Sequence, residues 1–392
     1  MDKLHIILLG RRNTGKSSLM NALTGQQTAI VSATAGTTTD PVKRSYEIPG
    51  VASVVFTDTA GIDDTGALGA QRIRKTGEMI PQADIAFLVI SGNRFDREEE
   101  ELIETFGRYD LPFLILHNKS DEEPLRPELK RVLEERYRVP VLDFSAHSSS
   151  TAPLLEKVAQ LRPATSPSSL LEGIAGAGSI VLLVTPIDSE APVGRLILPQ
   201  VQMLRNILDL HATGITLQPE EIRDFLEKTG ITPDLVITDS QVFKMVSTRI
   251  PPHIPLTSFS ILLARSKGYF EEYIRGTAFI DKLQDGDRIL LLESCSHHSS
   301  CDDIGRNKIP ALLRKYTGKN LEFEYIAGLD PIERAAQEYR LVIQCGGCMV
   351  TARQLKNRLT PFVKEGVPVS NYGMVIAYTN GIFTRSIELF RR

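Results

Sequence analysis

The sequence predicts an α/β protein in three parts, a phosphate-loop domain followed by two smaller α/β domains. Three observations carry that prediction. Short apolar runs alternate with helical patterns, which points to parallel sheets crossed by helices. A glycine-framed loop, Gly10-Arg11-Arg12-Asn13-Thr14-Gly15-Lys16-Ser17, stands directly between an apolar run and a helical one. All four cysteines fall between Cys295 and Cys348, far downstream of that loop.

A chain of 392 residues is long enough for two to three domains, each with its own core. With 42% hydrophobic and 24% charged residues it is neither disordered nor membrane-embedded. The net charge of -3 gives no general reason to bind nucleic acid, which is not an expected partner. The apolar run at residues 4–9 is too short for an export signal, and no stretch of about 18 apolar residues suggests a membrane span. The expected location is the reducing cytoplasm, where clustered cysteines bind metal or do redox chemistry more often than they form disulfides.

Residues 5–9 form the first expected strand, and a helical pattern through Leu19, Met20 and Leu23 follows the loop. In that strand-loop-helix setting the loop reads as a P-loop. Its glycines let backbone N–H groups turn toward phosphates, Lys16 brings a point charge to the β- and γ-phosphates, and the Ser17 hydroxyl ligates magnesium. The expected phosphate-binding stretch is Gly10, Asn13, Thr14, Gly15, Lys16, Ser17 and Ser18. Four further elements follow in order. Thr38 offers a hydroxyl to magnesium and the γ-phosphate, with Thr37 and Thr39 carrying the same group beside it. Asp58-Thr59-Ala60-Gly61 closes an apolar strand at 54–56, with Asp58 near magnesium and the Gly61 N–H near the γ-phosphate. Asn118-Lys119-Ser120-Asp121 closes a strand at 113–116. The Asp121 carboxylate accepts hydrogen bonds from the N1–H and N2 amine of guanine, a donor pair that adenine lacks. Ser145-Ala146, after a strand at 141–144, presents backbone N–H to the guanine O6. A lone Asp-x-x-Gly or Ser-Ala is usually only a turn, but five elements in order at strand ends leave that reading little room.

On these residues the first part resembles the bacterial GTPase group that includes the tRNA-modification and ribosome-assembly GTPases. In that group an apolar residue replaces the water-positioning Gln after Asp-x-x-Gly, and here it is Ile62, which implies slow hydrolysis without a further aid. Asn13 occupies the P-loop position that binds potassium in the potassium-dependent relatives. The resemblance implies a potassium ion there, stabilising charge in the transition state as an arginine finger does; the plainer reading is that Asn13 supports the loop. Lys16, Thr38, Gly61 and Asn13 are the expected catalytic residues.

Residues 164–179, rich in Ser, Pro and Gly, are expected as a linker. Strands at 180–184, 235–238 and 261–264 then alternate with helical patterns, giving a smaller α/β unit with parallel strands over 180–266. The helical stripe Val201, Leu204, Leu208 is expected to face inward, a dimer surface being the second reading. His211 and Asp188 are isolated polar residues without an assigned role.

A strand at 288–292 leads into Cys295-Ser296-His297-His298, with Cys301 and Asp302 just after. A strand at 340–344 leads into Cys345-Gly346-Gly347-Cys348, and a helical pattern begins near Thr351. Both groups stand at carboxyl ends of strands, where an open α/β sheet forms its crevice. The residues between them suffice for a helix and a strand near 321–325, so the groups can meet. Three readings stay open on spacing. A dithiol redox centre at Cys-x-x-Cys leaves the remote Cys-x-His without purpose. Three thiolates and one imidazole fit a closed zinc site. An iron–sulfur cluster fits Cys295, Cys345 and Cys348, its fourth iron held by His297, Asp302 or an exchangeable ligand. Cys301 reads as an ordinary small thiol, a spare ligand being the second reading.

The whole order, a potassium-type GTPase domain, a connector and a Cys-x-His…Cys-x-x-Cys domain, resembles the FeFe-hydrogenase maturation GTPases, the HydF family. That resemblance implies a P-loop GTPase domain (1–163), a dimerisation domain (180–266) and a metal-cluster-binding domain (267–392). It implies GTP, magnesium and potassium at the first, a homodimer joined through the second, and a 4Fe-4S cluster on Cys295, Cys345 and Cys348 in the third. Two radical-SAM maturases and the apo FeFe-hydrogenase are the implied partners, the chain acting as scaffold or carrier of a di-iron precursor. Many relatives have His directly before Cys-x-x-Cys where this chain has Gln344, which leaves the fourth coordination position open. The alternative is a tRNA- or ribosome-associated GTPase with a structural Cys3His zinc site, against which the acidic balance argues.

Overall fold

A computed structural model describes residues 4–25, 42–48, 52–64, 66–161, 169–187, 194–294 and 304–391. The chain divides into two compact units, Met1–Thr165 and Ser166–Arg392. Thr38, Asp188, Cys295, His297, Cys301 and Asp302 lie outside the described residues.

The first unit is built on strands β1 (Leu4–Leu9), β2 (Val42–Ile48), β3 (Ala52–Asp58), β4 (Ile85–Ile90), β5 (Phe113–His117) and β6 (Val141–Asp143). Their order is β2-β3-β1-β4-β5-β6, and only β2 runs antiparallel. Helices α1 (Lys16–Thr24), α2 (Gly66–Met79), α3 (Arg97–Arg108), α4 (Pro127–Tyr137) and α5 (Ala152–Leu161) accompany the sheet. Both faces are covered: Ile6 and Leu8 pack with Phe56 and Phe87, Ile7 and Leu9 with Leu88 and Ile115. A strand buried on two faces has no reason to alternate, and β4 accordingly reads Ile-Ala-Phe-Leu-Val-Ile, each large side chain worth roughly 1.5–3 kcal/mol on burial. The parallel strands β1, β3, β5 and β6 end on the same side, so the loops after them gather there.

The second unit holds two four-stranded parallel sheets. The first consists of β7 (Ile180–Val184), β8 (Thr213–Leu217), β9 (Leu235–Thr238) and β10 (Leu256–Ser258), ordered β10-β9-β7-β8. With it run α6 (Leu198–Asp209), α7 (Ile222–Thr229), α8 (Phe243–Arg249), α9 (Phe259–Lys267) and α10 (Phe270–Thr277). The second consists of β11 (Arg288–Leu292), β12 (Glu322–Ile326), β13 (Leu341–Gln344) and β14 (Val369–Asn371), ordered β12-β11-β13-β14. Its helices are α11 (Ile309–Thr317), α12 (Ala352–Lys364), α13 (Tyr372–Thr379) and α14 (Phe383–Glu388).

These two sheets are one motif used twice. In each, the third strand and then the fourth lie on one side of the first strand and the second strand on the other. Registers agree as well: Val181, Leu182 and Leu183 face Leu235, Val236 and Ile237, as Ile289, Leu290 and Leu291 face Leu341, Val342 and Ile343. The likeness reaches the sequence at constant spacing. Pro255-Leu256-Thr257-Ser258-Phe259-Ser260 answers to Pro368-Val369-Ser370-Asn371-Tyr372-Gly373. Each stretch runs into a helix, then a glycine at positive φ (Gly268 at 98°, Gly381 at 72°), then a helix opening on Phe270 or Phe383.

The last helix of each copy rests on the other copy's sheet. Helix α10 meets β14, where a Cβ on Gly276 would stand 2.0 Å from the Val369 carbonyl oxygen, and Thr277 Oγ1 lies 2.6 Å from Ser370 Oγ. Helix α14 meets β10, and its Arg385 donates to the carbonyls of Ser247, Ile250, Pro251 and Ile254. Both sheets therefore share one core, in which Leu182 and Phe243 join Leu290, Val342 and Phe362.

Three expectations need correction. The apolar run 261–264 is not a strand but the buried middle of α9, whose amino end is capped by Ser258 Oγ accepting from Ile261 N; the strand is β10, just before it. Short apolar runs carry no period that separates the two. The 164–179 stretch is no free tether in its described part, since Leu171 is fully buried with Val181 and Met203. On α6 the inward face is Met203 and Ile207 with Leu204 partly buried against the same core, while Val201 and Leu208 are 47% and 69% exposed, so the two ends of the stripe point outward. No helix among the described residues is long and apolar enough to cross a membrane.

Candidate functional site

The first site forms where the loops after β1, β3, β5 and β6 converge. Gly10 leaves β1 at a φ of 148°, and a Cβ there would stand 2.1 Å from the Val89 carbonyl oxygen. Gly15, at 84°, leads into α1 beside Asn118. Helix α1 has no side-chain cap and no acidic residue in its first turn, so its amino end offers unpaired N–H groups to an anion. Lys16 is buried, and its ammonium donates to the Gly10 and Arg11 carbonyls at 3.0 and 2.7 Å. Burial pulls its pKa down, against the pull of Asp58, Asp63 and Asp64.

Ser17 Oγ donates to Asp58 Oδ2 at 2.5 Å. The other oxygen, Asp58 Oδ1, is buried without a hydrogen-bond partner among the described residues. Burial pushes the Asp58 carboxyl up, with Ser17 and Lys16 opposing. A hydroxyl and an orphaned carboxylate oxygen side by side form the kind of oxygen donor set that suits magnesium. The segment after Asp58 is laced to the P-loop: Arg12 N donates to Asp63 Oδ1 at 2.7 Å and Ile62 N to the Gly10 carbonyl at 3.3 Å. Asn13 is exposed in the left-handed region at a φ of 61°.

At the base-reading end, Asn118 is the knot. It is buried, its Nδ2 donates to the Thr14 carbonyl at 2.9 Å, and its Oδ1 accepts from Ala146 N at 3.2 Å. One amide thus holds the P-loop, the Asn-Lys-Ser-Asp loop and the Ser-Ala loop in register. Lys119 has a φ of 65°, and Ser120 N donates to the Phe144 carbonyl at 3.1 Å. The Ser145 hydroxyl holds the exposed Asp121 carboxyl below its usual range, so it is ionised and available as an acceptor.

Two residues at this site escaped the sequence reading. Arg11 buries its guanidinium among Glu99, Glu98 and Asp96 at 2.7, 2.8 and 2.9 Å, fixing the P-loop to the start of α3. His117 is fully buried at the end of β5; its Nε2 accepts from Asn93 N at 3.2 Å, so the proton sits on Nδ1, 2.8 Å from Asp143 Oδ1. No local signal marks either one. An arginine at a variable P-loop position and a charge run at 94–101 look like solvated surface until the fold brings them together.

The second site lies where the strand order of the second copy reverses, between β11 and β13. Cys345 N donates to the Leu292 carbonyl at 2.9 Å, and Ser294 N donates to Cys345 Sγ at 3.1 Å. Cys345 and Cys348 share one loop, with Gly347 at a φ of 69°. Burial pushes the Cys345 thiol up, while contacts from Ser294 and the Gly347 backbone pull the other way. Lys267, buried at the end of α9, donates to the Gly347 and Val350 carbonyls at 2.5 Å each. Arg358 donates to the Glu293 and Ile326 carbonyls at 2.8 and 3.0 Å, and burial pulls its pKa down. A buried and a half-buried cation beside a dithiol loop suit a group that gathers negative charge. Ser294, the last described residue before Cys295, is thus held beside Cys345.

Comparison with known proteins now decides the family. Residues 170–268 match the hydrogen maturase F dimerization domain and 271–389 the hydrogen maturase F tetramerization domain, together more than half of the chain. The chain belongs to the hydrogen maturase F family. Residues 5–119 match the 50S ribosome-binding GTPase family, so the first unit of this hydrogen maturase is a P-loop GTPase domain. The chain is 36% identical over 155 residues to the tRNA modification GTPase MnmE of Nitrosomonas europaea, covering 39% of this chain and 33% of that protein. It is 32% identical over 148 residues to the GTPase Der of Campylobacter hominis, covering 36% of this chain and 32% of that protein. It thus spans about a third of the length of these curated relatives. Among solved structures, Era of Aquifex aeolicus is 24% identical over 42% of this chain and 58% of that chain, with a TM-score of 0.38. The two family domains name self-association as a property of the second unit.

Proposed function

We propose that this chain is a slow, potassium-stimulated GTPase that serves as scaffold or carrier in hydrogenase maturation. It holds a 4Fe-4S cluster on Cys295, Cys345 and Cys348, receives a di-iron precursor from two radical-SAM maturases and passes it to the apo FeFe-hydrogenase. The observation that carries this reading is the dithiol loop at the reversal point of the second sheet, with the neighbour of Cys295 already bonded to Cys345 Sγ. Three thiolates hold a cluster and leave one iron for His297, Asp302 or an exchangeable group, which is what a carrier needs.

In the GTPase unit Lys16 holds the β- and γ-phosphates, Ser17, Thr38 and Asp58 hold magnesium, and the Gly61 N–H meets the γ-phosphate. Gly10, Thr14, Gly15 and Ser18 complete the phosphate cradle. Asn118, Lys119 and Asp121 with Ser145 and Ala146 hold guanine, and Asn13 holds potassium. Hydrolysis changes the loops that contact the γ-phosphate and so alters how partners dock. A homodimer through the first sheet is supported by the outward Val201 and Leu208 on α6 beside the uncharged edge strand β8.

Anaerobic loading with iron and sulfide tests the reading. Broad sulfur-to-iron charge-transfer absorption is expected, lost when Cys295, Cys345 and Cys348 are all replaced by Ser while GTP turnover persists. Bound zinc without that absorption, together with tight RNA binding, overturns it in favour of an RNA-associated GTPase with a structural zinc site. Lys16→Ala is expected to abolish GTP binding and leave metal content unchanged. Replacing potassium by sodium is expected to lower turnover; equal rates remove Asn13 from the chemistry.

A further inference from the structure

The Cys345 sulfur is surrounded by more donors than holding a metal requires. Besides the Ser294 N–H, Ser294 Oγ lies 3.0 Å from Sγ and Gln344 Nε2 lies 3.3 Å from it. Gln344 Nε2 also donates to Ser294 Oγ at 2.9 Å, which leaves the serine proton able to turn toward a thiolate. Both side chains are buried, Gln344 1% and Ser294 4% exposed, and Gln344 Oε1 has no hydrogen-bond partner among the described residues. An amide buried with one end unpaired is costly, and its other end is held among the Ser294 hydroxyl, the Cys345 carbonyl and the Cys345 sulfur. The arrangement is braced from behind. Asn371 Nδ2 donates to the Gln344 carbonyl at 3.2 Å, and its Oδ1 accepts from Ser260 Oγ and Gly373 N at 3.0 and 2.9 Å.

The first copy of the repeat is an internal control. By strand register Thr238 stands where Gln344 stands, and Asp239 where Cys345 stands. There the polar groups close on their own backbone: Thr238 Oγ1 donates to the Val184 carbonyl at 3.2 Å, and Asp239 Oδ1 accepts from Gln241 N at 3.1 Å. In the second copy Gln344 keeps a backbone contact of the same kind, to the Cys345 carbonyl at 3.3 Å, but its amide also reaches the sulfur that stands in place of the Asp239 carboxylate.

We propose that Ser294 and Gln344 are positioning residues that tune the metal-bound thiolate of Cys345 and raise the reduction potential of the cluster it holds. This rests on the cluster reading above. An electron added to a thiolate-bound cluster spreads onto its sulfurs, and N–H and O–H donors stabilise that reduced form more than the oxidised one.

The test uses the full chain, loaded anaerobically with iron and sulfide and reduced by one electron from dithionite, with the midpoint potential followed by electron paramagnetic resonance. Ser294→Ala and Gln344→Met are each expected to shift the potential to more negative values with iron and sulfide content kept, and the double variant further. Thr238→Val, the matching change in the first copy, is expected to shift nothing. Equal potentials in the unsubstituted chain and both single variants overturn the proposal. Loss of iron from both variants also overturns it, because the side chains then act only as structure; if one variant keeps its iron, its potential decides. Failure of the unsubstituted chain to take up a cluster is a separate outcome, which removes the cluster reading and this proposal together.

Discussion

The two copies of the repeat share strand order, register and the glycine-hinged helix pair after the fourth strand, yet differ in their loops and their edges. In the first, the turn after β9 is Asp239-Ser240-Gln241, closed on itself. In the second, the turn after β13 carries Cys345 and Cys348. The edges diverge too. Strand β8 offers Thr213-Gly214-Ile215-Thr216-Leu217, uncharged and largely exposed. Strand β12 carries Glu322 and Glu324, paired at 3.0 Å with Arg288 and Arg334, and Tyr339 donates to Glu324 at 2.8 Å. Charged edges resist strand addition and uncharged ones invite it. One scaffold thus carries an uncharged, exposed edge in one copy and a dithiol loop with a charge-paired edge in the other; chemistry resides in what is mounted on a fold.

The sharpest way to break this contrast is to exchange what the loops carry. Cys345→Ser is expected to abolish iron retention, and Asp239→Ser to leave it intact; iron analysis after anaerobic loading reads both, and equal retention would end the distinction. Next in size is the packing that joins the copies. Gly276→Val forces a side chain into the Val369 carbonyl and is expected to cost about 1–3 kcal/mol or more. Urea unfolding should show both copies losing stability in one transition, since they share a core; two separated transitions would mean that the copies are independent. A smaller effect is expected on association. Leu208→Glu on the outward face of α6 should weaken it about tenfold, ~1.4 kcal/mol, by sedimentation. Tyr316→Glu, on the corresponding helix α11, should not weaken the same contact, and an equal loss would show that both copies use one face. The smallest is Thr238→Val, which removes a buried hydroxyl bonded to Val184 and should cost about 1 kcal/mol in thermal or urea unfolding.

The nucleotide site was largely legible in the sequence because its parts are local. Gly10 to Ser17, Asp58 to Gly61 and Asn118 to Asp121 each encode a strand end and the turn after it within a few residues, and parallel strands deliver such turns to one side of the sheet. Arg11 and His117 were not legible, because what defines them, Glu99 and Asp143, lies far along the chain. The repeat was hidden as well: few residues are identical between the copies, and most matches are exchanges such as Leu256 for Val369 or Phe259 for Tyr372, which preserve burial without preserving letters.

By itself the sequence determined the α/β class, the order of the nucleotide motifs and the Cys345–Cys348 pair at a strand end, all of which are written in short-range patterns of apolarity, glycine and charge. Only the tertiary structure decided that 261–264 is helix, that α6 turns Val201 and Leu208 outward, that the copies exchange their last helices, and that Ser294 and Gln344 converge on Cys345. Those outcomes depend on which surface arrives from a distant part of the chain to cover another, and a linear pattern can record that a residue is apolar or polar but not what will meet it.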